Sequence, residues 1–208
     1  MPISHLHTKQ AQQGFSLLEI LVSIVVLSFG VLGAVGLQAA SLQANREARL
    51  QSTGVQFANE MAELIRSNHQ VAVLTTSQTN PYLIDIHSSS YNNAGITCGL
   101  PQAKANKCSS SEAGTRDTQD WLTRMQAALP GFRAVICFDN TPYDGTGLPQ
   151  WNCSNSGNSL AIKIGWTRAN TLSGASGADA TNTSSPNAGA FDKALRPAVV
   201  IPVTPGVS

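Results

Sequence analysis

The sequence predicts an α+β fold in which one long N-terminal helix packs on an antiparallel sheet. Three observations carry this. An apolar run near the N-terminus passes, without a Pro, into a segment with helical spacing. Short segments far downstream alternate apolar and polar residues at strand spacing. Helix comes first and strands later, the order of an α+β layer rather than of α/β repeats.

The first element is the long helix. Ile20–Leu37 is 18 residues without a charge, and Phe15–Ala40 contains one charge, Glu19. As a helix, Phe15–Ala40 spans about 39 Å, enough for a bilayer core of about 30 Å. Apolar residues occupy every face, unlike those of a one-sided core helix. The preceding MPISHLHTKQAQQG carries one Lys and no acid, and no small-x-small cleavage site follows the run. The apolar segment is therefore read as retained, not as a removed secretory signal.

Helical spacing continues through Leu50, Phe57, Met61, Leu64 and Ile65, with Ala58 and Ala62 widening the stripe. No Pro interrupts Phe15–Asn68. One helix over 15–68 is expected, its first half, about 15–40, in lipid and its second half packed on a globular domain of residues 69–208. Gly30, Gly33 and Gly36 lie in the first half, where small residues allow close helix packing.

Within the domain, Tyr82–Ile86 is a short strand candidate. Asp117–Leu129 places Trp121, Leu122, Met125, Ala128 and Leu129 on one helix face, and Pro130-Gly131 ends it. Phe132–Phe138 and Leu160–Trp166 alternate as strands. Arg196–Val203 is the last apolar stretch, and Pro197 and Pro202 give it an edge position. Of the 21 residues Asn170–Ala190, 18 are Ser, Thr, Asn, Gly or Ala, too few apolar groups to offset ordering. A mobile loop over 170–190 is expected there.

Composition narrows function. The chain has 208 residues, 21.8 kDa and a net charge of +1, so bulk electrostatics does not point to nucleic acid. Charged residues are 12%, about half the usual share, which suits an exported protein lying against other copies or a surface. Aromatic residues are 6%, thin for a sugar cleft or a base-stacking platform.

Cys98, Cys108, Cys137 and Cys153 all follow the membrane helix. Their spacing contains no Cys-x-x-Cys, so disulfides in an oxidising compartment are expected rather than zinc. Of three possible pairings, Cys98–Cys108 and Cys137–Cys153 each close a local polar loop. The same cysteines place the domain outside and the N-terminus inside. A Lys/Arg count does not, because Lys9 stands alone before the run while Arg46 and Arg49 follow it.

No catalytic residue and no cofactor site is predicted. GITCG at 95–99 has Thr where a Gly-x-Ser-x-Gly motif needs Ser. His87 is the one His of the globular part beyond His69, which lies just past the long helix. Asp139, Asn140 and Asp144 before Gly145 can be read as calcium ligands or as a plain turn; they miss the EF-hand spacing, and the turn is preferred. Asn152-Cys153-Ser154 and Asn182-Thr183-Ser184 match the glycosylation sequon.

Glu19 is the anomaly. A carboxylate at the centre of a membrane helix costs about 2.5–3.5 kcal/mol, and less near the interface. No basic residue lies within one turn, so its cation must come from another chain or from an amine not yet made. The block Gly14-Phe15-Ser16-Leu17-Leu18-Glu19, followed by the apolar run, resembles the N-terminal signature of type IV prepilins and type II secretion pseudopilins. The resemblance implies that residues 1–14 are a leader removed by a prepilin peptidase between Gly14 and Phe15. It implies a methylated amine on Phe15, and pairing of Glu19 with a neighbouring subunit's amine during assembly. The fold it implies is type IV pilin-like.

DTQDWLTRMQAALPG at 117–131 and LAIKIGW at 160–166 are similar to segments of PilV-type minor pilins, the type IV pilus modification proteins. This implies a minor pilin of the priming or tip complex, supporting adhesion and twitching motility. Its partners would be other minor pilins, the major pilin and an inner-membrane assembly platform. It would sit in the inner membrane as a single-pass protein with a periplasmic domain, and later in the pilus. The alternatives are a minor pseudopilin of type II secretion and a membrane-anchored periplasmic enzyme or binding module.

Overall fold

The computed structural model describes residues 16–91, 107–167 and 196–206. The chain divides into two compact units, Met1–Asn45 and Arg46–Ser208. Helix α1 runs over Leu17–Ser67. Every described residue of the first unit is exposed. The most apolar 18-residue window of α1 has a mean hydropathy of 2.6 and no buried residue. Such a helix is long and apolar enough to cross a membrane.

In the second unit, α1 buries Gly54, Phe57, Ala58, Met61, Ala62 and Ile65. Phe57, Ala58, Met61, Ala62 and Ile65 belong to the stripe its spacing predicts, Leu50 and Leu64 of that stripe are partly buried, and Gly54 is not part of it. Asn68 ends α1, and a four-residue helix α2, His69–Ala72, follows. Buried Asn80 closes α2: its amide donates to the carbonyls of Ala72 (3.0 Å) and Leu74 (2.8 Å), and its oxygen accepts from Tyr82 N–H (3.0 Å).

Strand β1, Ile84–His87, precedes helix α3, Ser110–Ala128. Helix α3 begins seven residues earlier than its apolar face predicts, at a capping box. Ser109 Oγ accepts from Glu112 N–H, and Glu112 reaches back to Ser109 N–H. Strands β2 (Arg133–Phe138), β3 (Leu160–Gly165) and β4 (Val199–Val203) complete the sheet. The order is β1-β2-β3-β4 with every neighbour antiparallel. Gly131 takes φ +56° at the α3–β2 turn, where a side chain is disfavoured.

Alternation divides the sheet into two faces. Ala134, Ile136, Phe138, Leu160, Ile162 and Ile164 join the core with α1 and α3. Trp121 of α3 locks the two helices: its indole N–H donates to the Phe57 carbonyl (2.9 Å), and the rings meet edge to face at 6.2 Å. Arg124 of α3 pairs with Glu60 of α1 beside this contact. Gly54 lets α1 approach β3, because a Cβ there would lie 2.5 Å from the Trp166 ring.

The sheet edges are short. On β1, the His87 N–H and carbonyl are taken by the following turn, through Ser90 and Tyr91. On β4, Pro202 has no N–H to offer. The expected mobile loop 170–190 lies outside the described residues.

Candidate functional site

The residues singled out for assembly sit at the start of α1. Glu19 occupies the first turn, and its N–H donates to the Ser16 carbonyl at 3.0 Å. Ser16 Oγ accepts from Leu18 N–H at 3.3 Å. An acid is favoured here by the positive end of the helix dipole. The hydroxyls inside the apolar run are satisfied by their own helix. Ser23 donates to the Glu19 carbonyl and Ser28 to the Ile24 carbonyl, both at 2.7 Å. That leaves the Glu19 carboxylate as the polar group of this stretch with the least local support. No described Lys or Arg forms an ion pair with it. Around it Leu17, Leu18 and Leu21 are exposed, Leu17 at 88%. Gly14 and Phe15 lie outside the described residues, as does the leader.

Residues 9–35 match the family model of the prokaryotic N-terminal methylation motif. This motif, on an apolar helix, supports a type IV pilin-like protein anchored in a membrane, related to a pilus or pseudopilus. Residues 14, 15 and 19 all fall within the matched segment. No curated protein and no solved structure matches the chain.

Beyond the methylation motif, the chemistry concentrates on the sheet face turned away from the helices. The chain from Asp139 to Ser159 folds over this face and is fixed at four points. Cys137 and Cys153 are joined by a disulfide, with Cα atoms 6.3 Å apart. Lys163 of β3 donates to Asp139 at 2.6 Å, and both side chains are wholly buried. Its ammonium also reaches the carbonyls of Asn152 (2.7 Å) and Trp151 (3.4 Å). Trp151 stacks under the Arg133 guanidinium, 4.6 Å from the ring centre. Arg196 pairs with Asp144 at 2.5 Å.

Burial alone would raise the Asp139 carboxyl. Hydrogen bonds from the Lys163 ammonium and from the N–H groups of Thr141 and Ser154 outweigh it and hold the group below the usual range. Asp144 is likewise depressed, first by the Thr146 hydroxyl and the Leu148 N–H and also by Arg196. Both carboxylates of the calcium reading are thus engaged by protein donors, and the segment forms turns. The ligand atoms of Cys137, Asp139 and Cys153 gather within 4.8 Å. The two sulfurs are bonded to each other and the carboxylate to an ammonium, so this cluster staples the segment to the sheet.

The remaining sequence candidates do not converge on a reaction site. His87 ends β1 with its imidazole 3.9 Å from Asp85, but Arg133 takes both Asp85 oxygens (3.1 and 3.0 Å). Partial burial and the Arg133 charge lower the imidazole's proton affinity. The Ser90 hydroxyl bonds the His87 backbone. GITCG lies outside the described residues. Cys108 is disulfide-bonded and no described cysteine is free, while its expected partner Cys98 lies outside the described residues. The buried Lys163–Asp139 pair was not anticipated from alternation, which marks Lys163 only as pointing away from the helices. The signal available was a single Lys inside LAIKIG and an Asp directly after the alternating stretch of β2.

Proposed function

We propose that this protein is a minor pilin that takes part in type IV pilus assembly, in the priming or tip complex. The methylation motif over residues 9–35, at the head of an apolar helix that carries Glu19, is the observation that carries the reading. A prepilin peptidase removes residues 1–14 on the cytoplasmic side and methylates Phe15. Residues 15–40 then anchor the chain in the inner membrane, and residues 69–208 form the periplasmic domain. Assembly exchanges lipid contacts of α1 for contacts with helices of other minor pilins and the major pilin, at the inner-membrane platform. The role is structural, and it supports adhesion and twitching motility from the pilus surface. Segments 117–131 and 160–166, similar to those of PilV-type minor pilins, favour a pilus over a secretion pseudopilus. They build α3 and β3 of the core.

The test is intact-mass measurement of the protein from cells with an active pilus system, followed by affinity capture. The expected product starts at Phe15, carries one added methyl and has 194 residues. A chain still starting at Met1 overturns the reading. Capture of secretion-system components in place of pilus components assigns the chain to a pseudopilus instead.

A further inference from the structure

Arg46 and Arg49 are set apart by position. Both follow the apolar run, on the side opposite Lys9, where a bias of basic residues is not needed for orientation. They lie three residues apart on one face of α1 and line a groove of about 570 Å³ with Leu50, Thr53 and the last turn of α3. Gln126 of α3 contributes an amide, and among the described residues no carboxylate lines the groove. Among the described residues neither arginine forms an ion pair, whereas Arg66, Arg116, Arg124, Arg133 and Arg196 all do. The C-terminal end of α3 supplies about half a negative charge, less than two guanidinium groups carry.

We infer that this groove binds the phosphate of an anionic phospholipid headgroup in the outer leaflet of the membrane that α1 crosses. Arg46 follows Ala40 by six residues, about 9 Å of helix. Side chains on a helix tilt toward its N-terminus, so both guanidinium groups lean back toward the apolar run. That rise slightly exceeds the polar headgroup layer, about 5–8 Å deep on each side of the hydrocarbon, and the long arginine stem reaches back across the difference. Two forked donors suit a phosphate better than a single ammonium does. Thr53 and Gln126 add a hydroxyl and an amide for the rest of the headgroup. Each basic residue at an anionic surface contributes about 1 kcal/mol, so one arginine is worth about five-fold in lipid preference and the pair about thirty-fold.

The inference rests on the membrane-anchored reading, and its test separates the two. The full chain is placed in nanodiscs of phosphatidylcholine and phosphatidylglycerol, extracted in mild detergent, and its retained lipids are counted by native mass spectrometry. Wild type is expected to retain phosphatidylglycerol in excess over its share of the disc. Arg46→Gln with Arg49→Gln should remove that excess, while Arg66→Gln, whose arginine pairs with Glu63, should keep it. Equal retention by wild type and the double variant overturns the site. Inorganic phosphate bound in discs lacking phosphatidylglycerol, with no lipid preference in mixed discs, overturns the lipid source. A chain that does not stay in the disc overturns the anchored reading and the inference together.

Discussion

Lys163 has no route to water, and Asp139 is what holds its charge inside the fold. Removing one partner of such a pair strands the other, at about 3–5 kcal/mol. Asp139→Ala should therefore destabilise the protein by about that amount, read by thermal unfolding in mild detergent. Lys163→Met should cost less, because the carboxylate keeps the N–H groups of Thr141 and Ser154. Equal losses would show that the backbone donors contribute nothing. The same carboxylate sets a pH dependence. Its folded-state affinity for protons is below that of an unfolded Asp, near 3.9. Its contribution is complete above that value and is lost as pH falls through the lower folded one. Glu112 and Asp144 act in the same direction, and Asp117, raised by burial, opposes them. Stability should fall on acidification below about pH 4, with a shallower decline in Lys163→Met. Glu19 makes a different prediction at this scale. Glu19→Ala should be inserted and processed normally yet fail to co-purify with partner pilins. Normal partner capture by the variant would leave the acid a role within its own chain only.

Among the elements, α1 approaches Trp166 closely at Gly54. A Cβ at Gly54 would sit 2.5 Å from one ring carbon and 2.9 Å from the next, both part of a rigid indole. Gly54→Ala should cost about 1–3 kcal/mol through overpacking, and Gly54→Val more. A neutral Gly54→Ala would mean that α1 slides freely on the sheet. Helix α3 depends on its start: Ser109→Ala removes the acceptor for Glu112 N–H and should cost about 1 kcal/mol, with helicity lost over 110–113. That start was the part of α3 hardest to read. The apolar face of 117–129 announces itself by spacing, whereas 110–116 is SSEAGTR, with Ala113 its one apolar side chain, and is held by its cap. Strands β2 and β3 were legible because alternation places Ala134, Ile136, Ile162 and Ile164 on one face. The segment 139–159 has no period to read. Its conformation comes from pairs distant in sequence, Asp139 with Lys163 and Asp144 with Arg196, which only the sheet register brings together. At the N-terminus the opposite holds: the methylation motif is legible in the sequence, because residues 9–35 carry it locally.

For the whole molecule, the disulfide Cys137–Cys153 ties the end of β2 to the segment that covers the outer sheet face. A closure of this length is worth about 3 kcal/mol, so Cys153→Ser should lower the unfolding temperature and loosen 139–159. Hydrogen exchange should show faster exchange there, with β3 still protected. Uniform loss of protection would instead make the staple a condition for folding at all. Thiol labelling without reductant should find no reactive cysteine. The sheet edges carry a last consequence. With His87 of the β1 rim engaged by its own turn and Pro202 on the other side, the meander offers a weakened template for strand addition. Strand-by-strand growth between copies is therefore disfavoured at these described edges.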